Sequence, residues 1–158
     1  MIGAAGGEEK AAAVSAFGAV VAVDYRRAGW VAQVKAAAGG RGASVVLDAV
    51  GGTIGGQAIE AAADGAGRIG LYGLASGSWA TIGTPALSRR GLTVTGALGV
   101  ALSRSTAEQR THAERALDAA AAGRLVPRVH AAHPREHAAR AHIDLEGRGT
   151  IGALVLTP

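Results

Sequence analysis

The apolar residues of the chain fall into short, nearly continuous runs and into longer stretches with helical spacing. The runs at residues 20–23, 45–47 and 68–72 are apolar almost throughout, which is typical of strands buried on both faces of a parallel sheet. Further strands are predicted at 92–96 and 151–156, and a short extended piece at 125–127. We expect the apolar run from Leu92 to Val100 to form the edge strand of the sheet.

Helices are predicted between these strands from apolar residues three and four positions apart and from terminating glycines. They cover residues 8–17, 30–38, 56–63, 106–122 and 135–145. Strands that alternate with helices indicate an α/β fold with a parallel sheet covered on both faces. Glycines cluster directly after the strands, at the carboxyl edge where such sheets bind ligands. The pattern predicts a nucleotide-binding sheet.

Composition excludes several classes of protein. The 158 residues are 49% hydrophobic and 18% charged, a balance that disordered chains do not have. The absence of cysteine excludes a disulfide scaffold, a cysteine-ligated zinc site and an iron–sulfur cluster. The apolar runs fall short of the ~20 residues of a membrane span, and Glu8 and Glu9 occupy the place of a basic signal-peptide region. We therefore expect a soluble, cytoplasmic protein.

The net charge of +4 raises the possibility of nucleic-acid binding. However, the arginines are spread along the chain, in pairs at most, and few aromatic residues accompany them. Nucleic-acid-binding domains more often collect their basic residues on one face and add aromatic side chains for base stacking. A solvated basic surface is the favoured interpretation, and no nucleic-acid or membrane partner is expected.

The sequence GAAGG at residues 3–7 looks like the start of a phosphate-binding loop. Such a loop uses glycines for a tight turn and for close approach of the backbone to the pyrophosphate. Here Glu9 stands at the third glycine position and Glu8 precedes it, so two carboxylates would repel the phosphates. We reject this interpretation.

A series of short motifs resembles one known family along nearly the whole chain. The motifs are GEEK at 7–10, FGA at 17–19, VDYR at 23–26, GGRG at 39–42, VVLDAVGG at 45–52, GRI at 67–69, GLASG at 73–77, LTVTG at 92–96, GRLVP at 123–127, AH at 141–142 and GALVL at 152–156. In this order they resemble the medium-chain dehydrogenase/reductase superfamily, specifically its zinc-independent NADPH:quinone oxidoreductase (zeta-crystallin-like) branch.

The resemblance implies a Rossmann-type doubly wound parallel sheet with strand order 3-2-1-4-5-6. Residues 1–3 correspond to the second strand of that sheet. The first strand, the glycine loop and the N-terminal catalytic domain of the family are therefore expected to be missing. Residues 1–127 would form a partial dinucleotide-binding domain, and residues 128–158 a segment that in relatives returns to the catalytic domain.

The resemblance also implies NADP(H) as the cofactor. An acidic residue at the end of the second strand would bind the ribose of NAD, but residues 4–7 hold none. Lys10 and Tyr25 match residues that hold the 2′-phosphate in relatives, although an exposed lysine and a strand-end tyrosine are the alternatives. Further cofactor contacts are expected at Val50, Gly51, Tyr72, Gly73 and Leu74. Gly51 could instead serve only as a turn glycine.

The expected activity is hydride transfer from NADPH to a quinone or a related α,β-unsaturated carbonyl compound. The alternative is a non-catalytic, truncated protein without a working cofactor site. No catalytic residue is assigned, because hydride transfer depends on positioning, and Asp48 is expected to cap its strand. Four histidines lie between His130 and His142, but Pro134 interrupts any common helical face, so no metal site is predicted. A homodimer is expected through the strand from Leu92 to Val100.

Overall fold

The computed structural model describes all residues 1–158, which form two compact units, Met1–Arg104 and Ser105–Pro158. The first unit alternates short strands and helices. Its elements are β1 (Ile2–Ala5), α1 (Glu8–Ala16), β2 (Val21–Asp24), α2 (Trp30–Ala37), β3 (Val45–Asp48), α3 (Gly52–Glu60), β4 (Arg68–Leu71), α4 (Thr84–Arg90), β5 (Thr93–Gly96) and α5 (Ala97–Leu102). The predicted α/β architecture is confirmed.

The strands of the first unit form two separate pieces of sheet. One piece has the order β1-β2 and the other the order β3-β4-β5. Every pairing is parallel, with Ile2 opposite Val21 in the first piece and Val45 opposite Arg68 in the second. β1 and β3 are not paired with each other, so each has one edge without a neighbouring strand.

Two apolar clusters form the core of this unit, and the end of α3 takes part in both. The first cluster contains Val23, Trp30, Val34 and Ala61. The second contains Ile59, Ala62 and Ile69. The indole Nε1 of Trp30 also donates a hydrogen bond to Gln57 Oε1 at 3.0 Å, which joins α2 to α3. The helices α2 and α3 thus connect the two pieces of sheet.

The second unit is a helix followed by a small parallel β-α-β arrangement. Its elements are α6 (Thr106–Ala121), β6 (Val129–Pro134), a 3₁₀ turn (Arg135–His137), α7 (Ala138–Glu146) and β7 (Ala153–Thr157). Ser105 caps α6, because its hydroxyl accepts a hydrogen bond from Glu108 N while the Glu108 carboxylate accepts one from Ser105 N. This reciprocal capping box fixes the start of the helix. No helix of the chain has both the length and the apolarity of a membrane span.

The prediction of one strand from Leu92 to Val100 is wrong in its second half. β5 ends at Gly96, and residues from Ala97 onward form α5. A short apolar run does not distinguish a buried strand from a helix, and Ala and Leu favour the helix. The start of α3 was also misplaced, because the helix begins at Gly52 rather than at residue 56. Helix α4 and strand β6 were not predicted.

Candidate functional site

The turn after β1 is tied to the end of β2 by a carboxylate. Asp24 Oδ1 accepts a hydrogen bond from the backbone N–H of Gly7 at 2.7 Å and another from Arg26 N at 2.9 Å. The backbone N–H of Tyr25 donates to Ala5 O at 3.0 Å. These hydrogen bonds hold the carboxyl ends of the two parallel strands together. Ligands usually bind at this end of such sheets.

Two side chains from the end of β2 lie over the glycines of this turn. A Cβ atom on Gly6 would be 2.7 Å from the Tyr25 hydroxyl oxygen, and a Cβ on Gly7 would collide with the Arg26 guanidinium. A Cβ at either position would thus require the Tyr25 or the Arg26 side chain to move, and Gly7 favours glycine also because its φ is 114°. Lys10 lies on α1, directly after this turn, and is partly buried. The structure places the Tyr25 hydroxyl and α1 at the same end of β1.

Charges of both signs surround this turn. Glu8 Oε2 is 3.1 Å from Arg27 Nη2, while Asp24 is 3.7 Å from Arg26 Nε and 4.0 Å from Arg27 Nε. The Arg26 backbone N–H lowers the pKa of Asp24, and the Gly7 N–H and both guanidinium groups lower it further, although desolvation opposes them. Asp24 is therefore ionised at neutral pH, and its negative charge is already bound by donors of the protein.

A second turn follows β3 and is organised by Asp48. This carboxylate is only 4% exposed, and it accepts hydrogen bonds from Val50 N at 2.9 Å and from Gly51 N at 3.1 Å. Gly51 has a φ of 71° and a ψ of −161°, a region open almost only to glycine. A Cβ there would also collide with Ser78 O. Asp48 therefore caps the strand, as expected, and Gly51 meets the requirements of a turn glycine.

The segment after β4 passes close to this second turn. Tyr72 N donates to Asp48 O at 3.0 Å, and a Cβ on Gly73 would be 2.7 Å from Ala49 O. The side chains of Tyr72 and Leu74 are nearly half exposed. Contact with a ligand here would come from backbone atoms of Gly73 and from these two exposed side chains.

A groove of about 1230 Å³ lies between the two pieces of sheet. Tyr25, Val50 and Tyr72 all line it, so the structure brings the two turns to one groove. The other predicted cofactor residues, Lys10, Gly51, Gly73 and Leu74, are not among its lining residues. Sequence reasoning missed the roles of Asp24 and Arg26, although charged residues that follow an apolar strand directly are a signal for this edge of a sheet.

Two histidines of the second unit take part in local contacts. His130 Nδ1 accepts a hydrogen bond from Ile151 N at 3.3 Å, and His133 Nε2 is 3.7 Å from Asp144 Oδ2. Nowhere in the chain do three His, Cys, Asp or Glu side chains form a group that could hold a metal ion.

Comparisons with known proteins agree with this geometry. The sequence profile of the zinc-binding dehydrogenase family matches residues 17–156. An NAD-dependent alcohol dehydrogenase is 32% identical with a TM-score of 0.83, over 99% of this chain and 43% of its own. The Pseudomonas syringae pv. Tomato DC3000 quinone oxidoreductase is 28% identical with a TM-score of 0.85, over 99% and 48%.

The Escherichia coli quinone oxidoreductase complexed with NADPH is 29% identical with a TM-score of 0.85, over 99% of this chain and 49% of that one. The chain thus spans about half the length of the solved structures that it matches. No curated protein sequence matches it significantly. These matches show that the chain belongs to the zinc-binding dehydrogenase family, as a nucleotide-binding part of the medium-chain dehydrogenase/reductase superfamily.

Proposed function

We propose that the chain is the nucleotide-binding half of an oxidoreductase that transfers hydride from NADPH to a quinone or a related α,β-unsaturated carbonyl compound. The observation that carries this proposal is the position of the Tyr25 hydroxyl over Gly6, at the carboxyl end of β1. One solved structure that resembles the chain is a quinone oxidoreductase in complex with NADPH, which supports the choice of cofactor.

In this proposal the turn after β1 recognises the 2′-phosphate of NADPH. Tyr25 would donate its hydroxyl hydrogen to a phosphate oxygen, and the Lys10 ammonium would supply positive charge from α1. The nearby Asp24 carboxylate does not counteract this, because it already accepts two backbone hydrogen bonds and faces two guanidinium groups. Hydrogen bonds to an ionised phosphate are stronger than neutral ones, so these residues would favour NADPH over NADH.

The turn after β3 and the segment after β4 would hold the nicotinamide end of the cofactor. Val50 and Gly51 are fixed by Asp48, and Gly73 lets its segment approach Ala49 closely. When bound, the nicotinamide supplies the hydride. Residues Tyr72, Gly73 and Leu74 would orient its ring and exclude water, which is positioning rather than acid–base chemistry.

The name of the family refers to zinc, but these residues do not fit a zinc site. The chain has no cysteine, and no three potential ligands lie together. A structural zinc site needs four protein ligands and a catalytic one needs three. We therefore assign no step to a metal bound by this chain.

The outer edge of β5 is the proposed surface of a homodimer. β5 pairs only with β4, so the backbone groups on its other side, over Thr93–Gly96, have no strand neighbour. An uncovered strand edge of this kind favours pairing with a second chain.

The cofactor proposal is tested by titrating the purified chain with NADPH and NADH and following nucleotide fluorescence. Tyr25→Phe removes one hydroxyl and should weaken NADPH binding about tenfold, the effect of roughly 1.4 kcal/mol, while NADH binding stays unchanged. Tyr72→Phe is the matched control, because it removes a hydroxyl from a tyrosine of the same groove and should leave the preference for NADPH intact. Lys10→Gln should act in the same direction as Tyr25→Phe.

Equal affinity for NADH and NADPH in the unmodified chain would refute the roles of Lys10 and Tyr25. A second outcome would be that no saturable binding is seen up to about 1 mM NADPH, the concentration that corresponds to a dissociation free energy of about 4 kcal/mol. This outcome would favour the alternative of a non-catalytic protein without a working cofactor site.

A further inference from the structure

The histidines of the chain are collected in one unit, and one of them differs from the others. All five histidines lie in the second unit, at positions 112, 130, 133, 137 and 142. Four of them are exposed, whereas His133 on β6 is partly buried, with its side chain 19% exposed. Imidazole changes its charge between about pH 5 and 8, so mild acid adds positive charge chiefly to this unit.

The Nε2 atom of His133 has no satisfactory partner while the ring is neutral. The atom is buried and makes no hydrogen bond. Asp144 Oδ2 on α7 lies 3.7 Å away, too far for a hydrogen bond. If the ring proton is on Nδ1, the Nε2 lone pair faces a carboxylate, and if it is on Nε2, a donor has no acceptor. Buried polar atoms without a partner are rare in folded proteins, so this atom indicates an interaction that the neutral ring does not make.

Protonation of the ring removes this mismatch. The imidazolium has an N–H donor on each nitrogen, and a charge-assisted hydrogen bond from Nε2 to Asp144 is about 2.8 Å long. Asp144 has to approach by about 1 Å, which rotation of its side chain can supply, since that side chain is 27% exposed. Arg140 Nε lies 3.0 Å from the other oxygen, Asp144 Oδ1. Both cations can therefore bind the carboxylate at the same time, through different oxygen atoms.

The other titratable groups around His133 do not form an ion pair with it. β7, its neighbour in the sheet, holds no titratable side chain, and His130 on β6 accepts a hydrogen bond from Ile151 N instead. The remaining titratable side chains of α7 and of the 3₁₀ turn before it are all exposed, and they are Arg135, Glu136, His137, Arg140, His142 and Glu146. Asp144 is thus the one carboxylate within ion-pair distance of His133.

We propose that His133 and Asp144 form a pH-responsive clamp, which holds α7 to β6 more tightly in mild acid than at neutral pH. The proton comes from solvent and no covalent bond changes. When the ring is protonated, His133 Nε2–H donates to Asp144 and connects the strand to the last turn of the helix. The clamp is independent of nucleotide binding, because both residues lie in the second unit and the proposed cofactor residues lie in the first.

Hydrogen–deuterium exchange of the α7 amides in the full chain, without nucleotide, tests the proposal. Their protection factors, corrected for the intrinsic effect of pH, should rise about tenfold from about pH 8 to about pH 5.5, as expected for one charge-assisted hydrogen bond. In His133→Gln they should stay within about twofold over the same range. His112→Gln is the matched control, because it removes an exposed histidine of the same unit, on α6, and should leave the rise intact.

Two further variants test the partner of His133. Asp144→Asn should abolish the rise although His133 remains, while Arg140→Gln should retain it, because Arg140 binds the other carboxylate oxygen. Nitrogen-15 NMR of the imidazole groups supplies a readout that packing alone would not change. At about pH 5.5, the unmodified chain should show a protected Nε2–H signal that is absent from His133→Gln and Asp144→Asn.

Three results of the exchange experiment would overturn the clamp: an equal rise in His133→Gln, a rise retained in Asp144→Asn, or no rise in the unmodified chain. Absence of the protected Nε2–H signal from the unmodified chain would overturn it as well, even where a variant fails to fold.

Discussion

Asp24 and Asp48 occupy equivalent places in the two pieces of sheet but have different partners. Each ends a parallel strand, and each accepts hydrogen bonds from backbone N–H groups of the turn that follows. Asp24 additionally reaches across to the turn after β1 through Gly7 N and faces two guanidinium groups. Asp48 is 4% exposed, and its hydrogen bonds come from backbone groups of one loop.

The turn at Asp24 is therefore called the charged turn, and the turn at Asp48 the packed turn. Around Asp24, ion pairs at the surface set the local electrostatics. Around Asp48, close packing sets the backbone: a Cβ on Gly55 would be only 2.6 Å from Asp48 Oδ2. Substitutions in the packed turn should therefore change the free energy of unfolding most, and those in the charged turn should change its dependence on pH.

The largest expected effect is that of Gly51→Ala in the packed turn. The alanine would have to adopt a φ of 71° and a ψ of −161°, at a cost of about 1–3 kcal/mol, and its Cβ would overlap Ser78 O, which adds about 1–3 kcal/mol. Urea denaturation should show the loss. Gly39→Ala is the control, because Gly39 has a φ of 68° with no atom near its missing Cβ. An equal loss in the two variants would contradict the overlap with Ser78.

An intermediate effect is expected for Asp48→Ala. The substitution leaves the amides of Val50 and Gly51 without an acceptor, at about 1–3 kcal/mol for an unsatisfied buried group. Asp48→Asn keeps an amide oxygen in the place of Oδ1 and should lose clearly less in the same urea experiment. If both variants were equally destabilised, the charge of Asp48 would contribute more to the free energy of unfolding than its hydrogen bonds do. The contrast between a packed turn at Asp48 and a charged turn at Asp24 would then be wrong.

The smallest effect is expected for Asp24→Asn, which keeps a hydrogen-bond acceptor and removes the charge. The pKa of Asp24 lies below its ordinary value, so the ionised form stabilises the fold at every pH above the unfolded pKa of about 3.9, and this contribution is lost as the pH falls through the folded pKa. The stability difference between the two proteins should thus be present at pH 7 and should shrink as the pH falls below the unfolded pKa. A difference that stayed constant or grew in acid would be incompatible with this assignment.

The sequence was sufficient to predict the helices and strands whose boundaries are set by neighbouring residues in the chain. Glu8 and Glu9 open α1, and the apolar run from Val45 precedes the capping Asp48, so these boundaries were predicted to within a residue. Helix α4 was missed although its signals are present: Pro85 lies in its first turn, and Gly91 ends it in the left-handed conformation. Proline at the start and glycine after the end are typical helix boundaries.

Features that depend on tertiary contacts could not be predicted in this way. The first turn of α3 contains Gly52 and Gly55, which disfavour helix. Packing forms it nevertheless, because Gly55 fits between Asp48 and Ala80 and Ile54 packs against the first core cluster. At the candidate site, Tyr25 and Val50 were identified separately, but their meeting in one groove follows from the three-dimensional arrangement of α2 and α3. The hydrogen bond from Gly7 to Asp24 spans 17 positions, beyond any local pattern.

The two residues that follow α3 have a consequence for the way in which the protein folds. Ala61 belongs to the first core cluster and its neighbour Ala62 to the second, so two adjacent residues connect the cores of two sheets that share no ladder of hydrogen bonds. Cooperative units in proteins often coincide with such supersecondary pieces and open with different free energies. The first unit therefore has the construction of two folding units joined through α2, α3 and the two residues that follow α3, and the strength of this junction decides whether they unfold in one transition or in two.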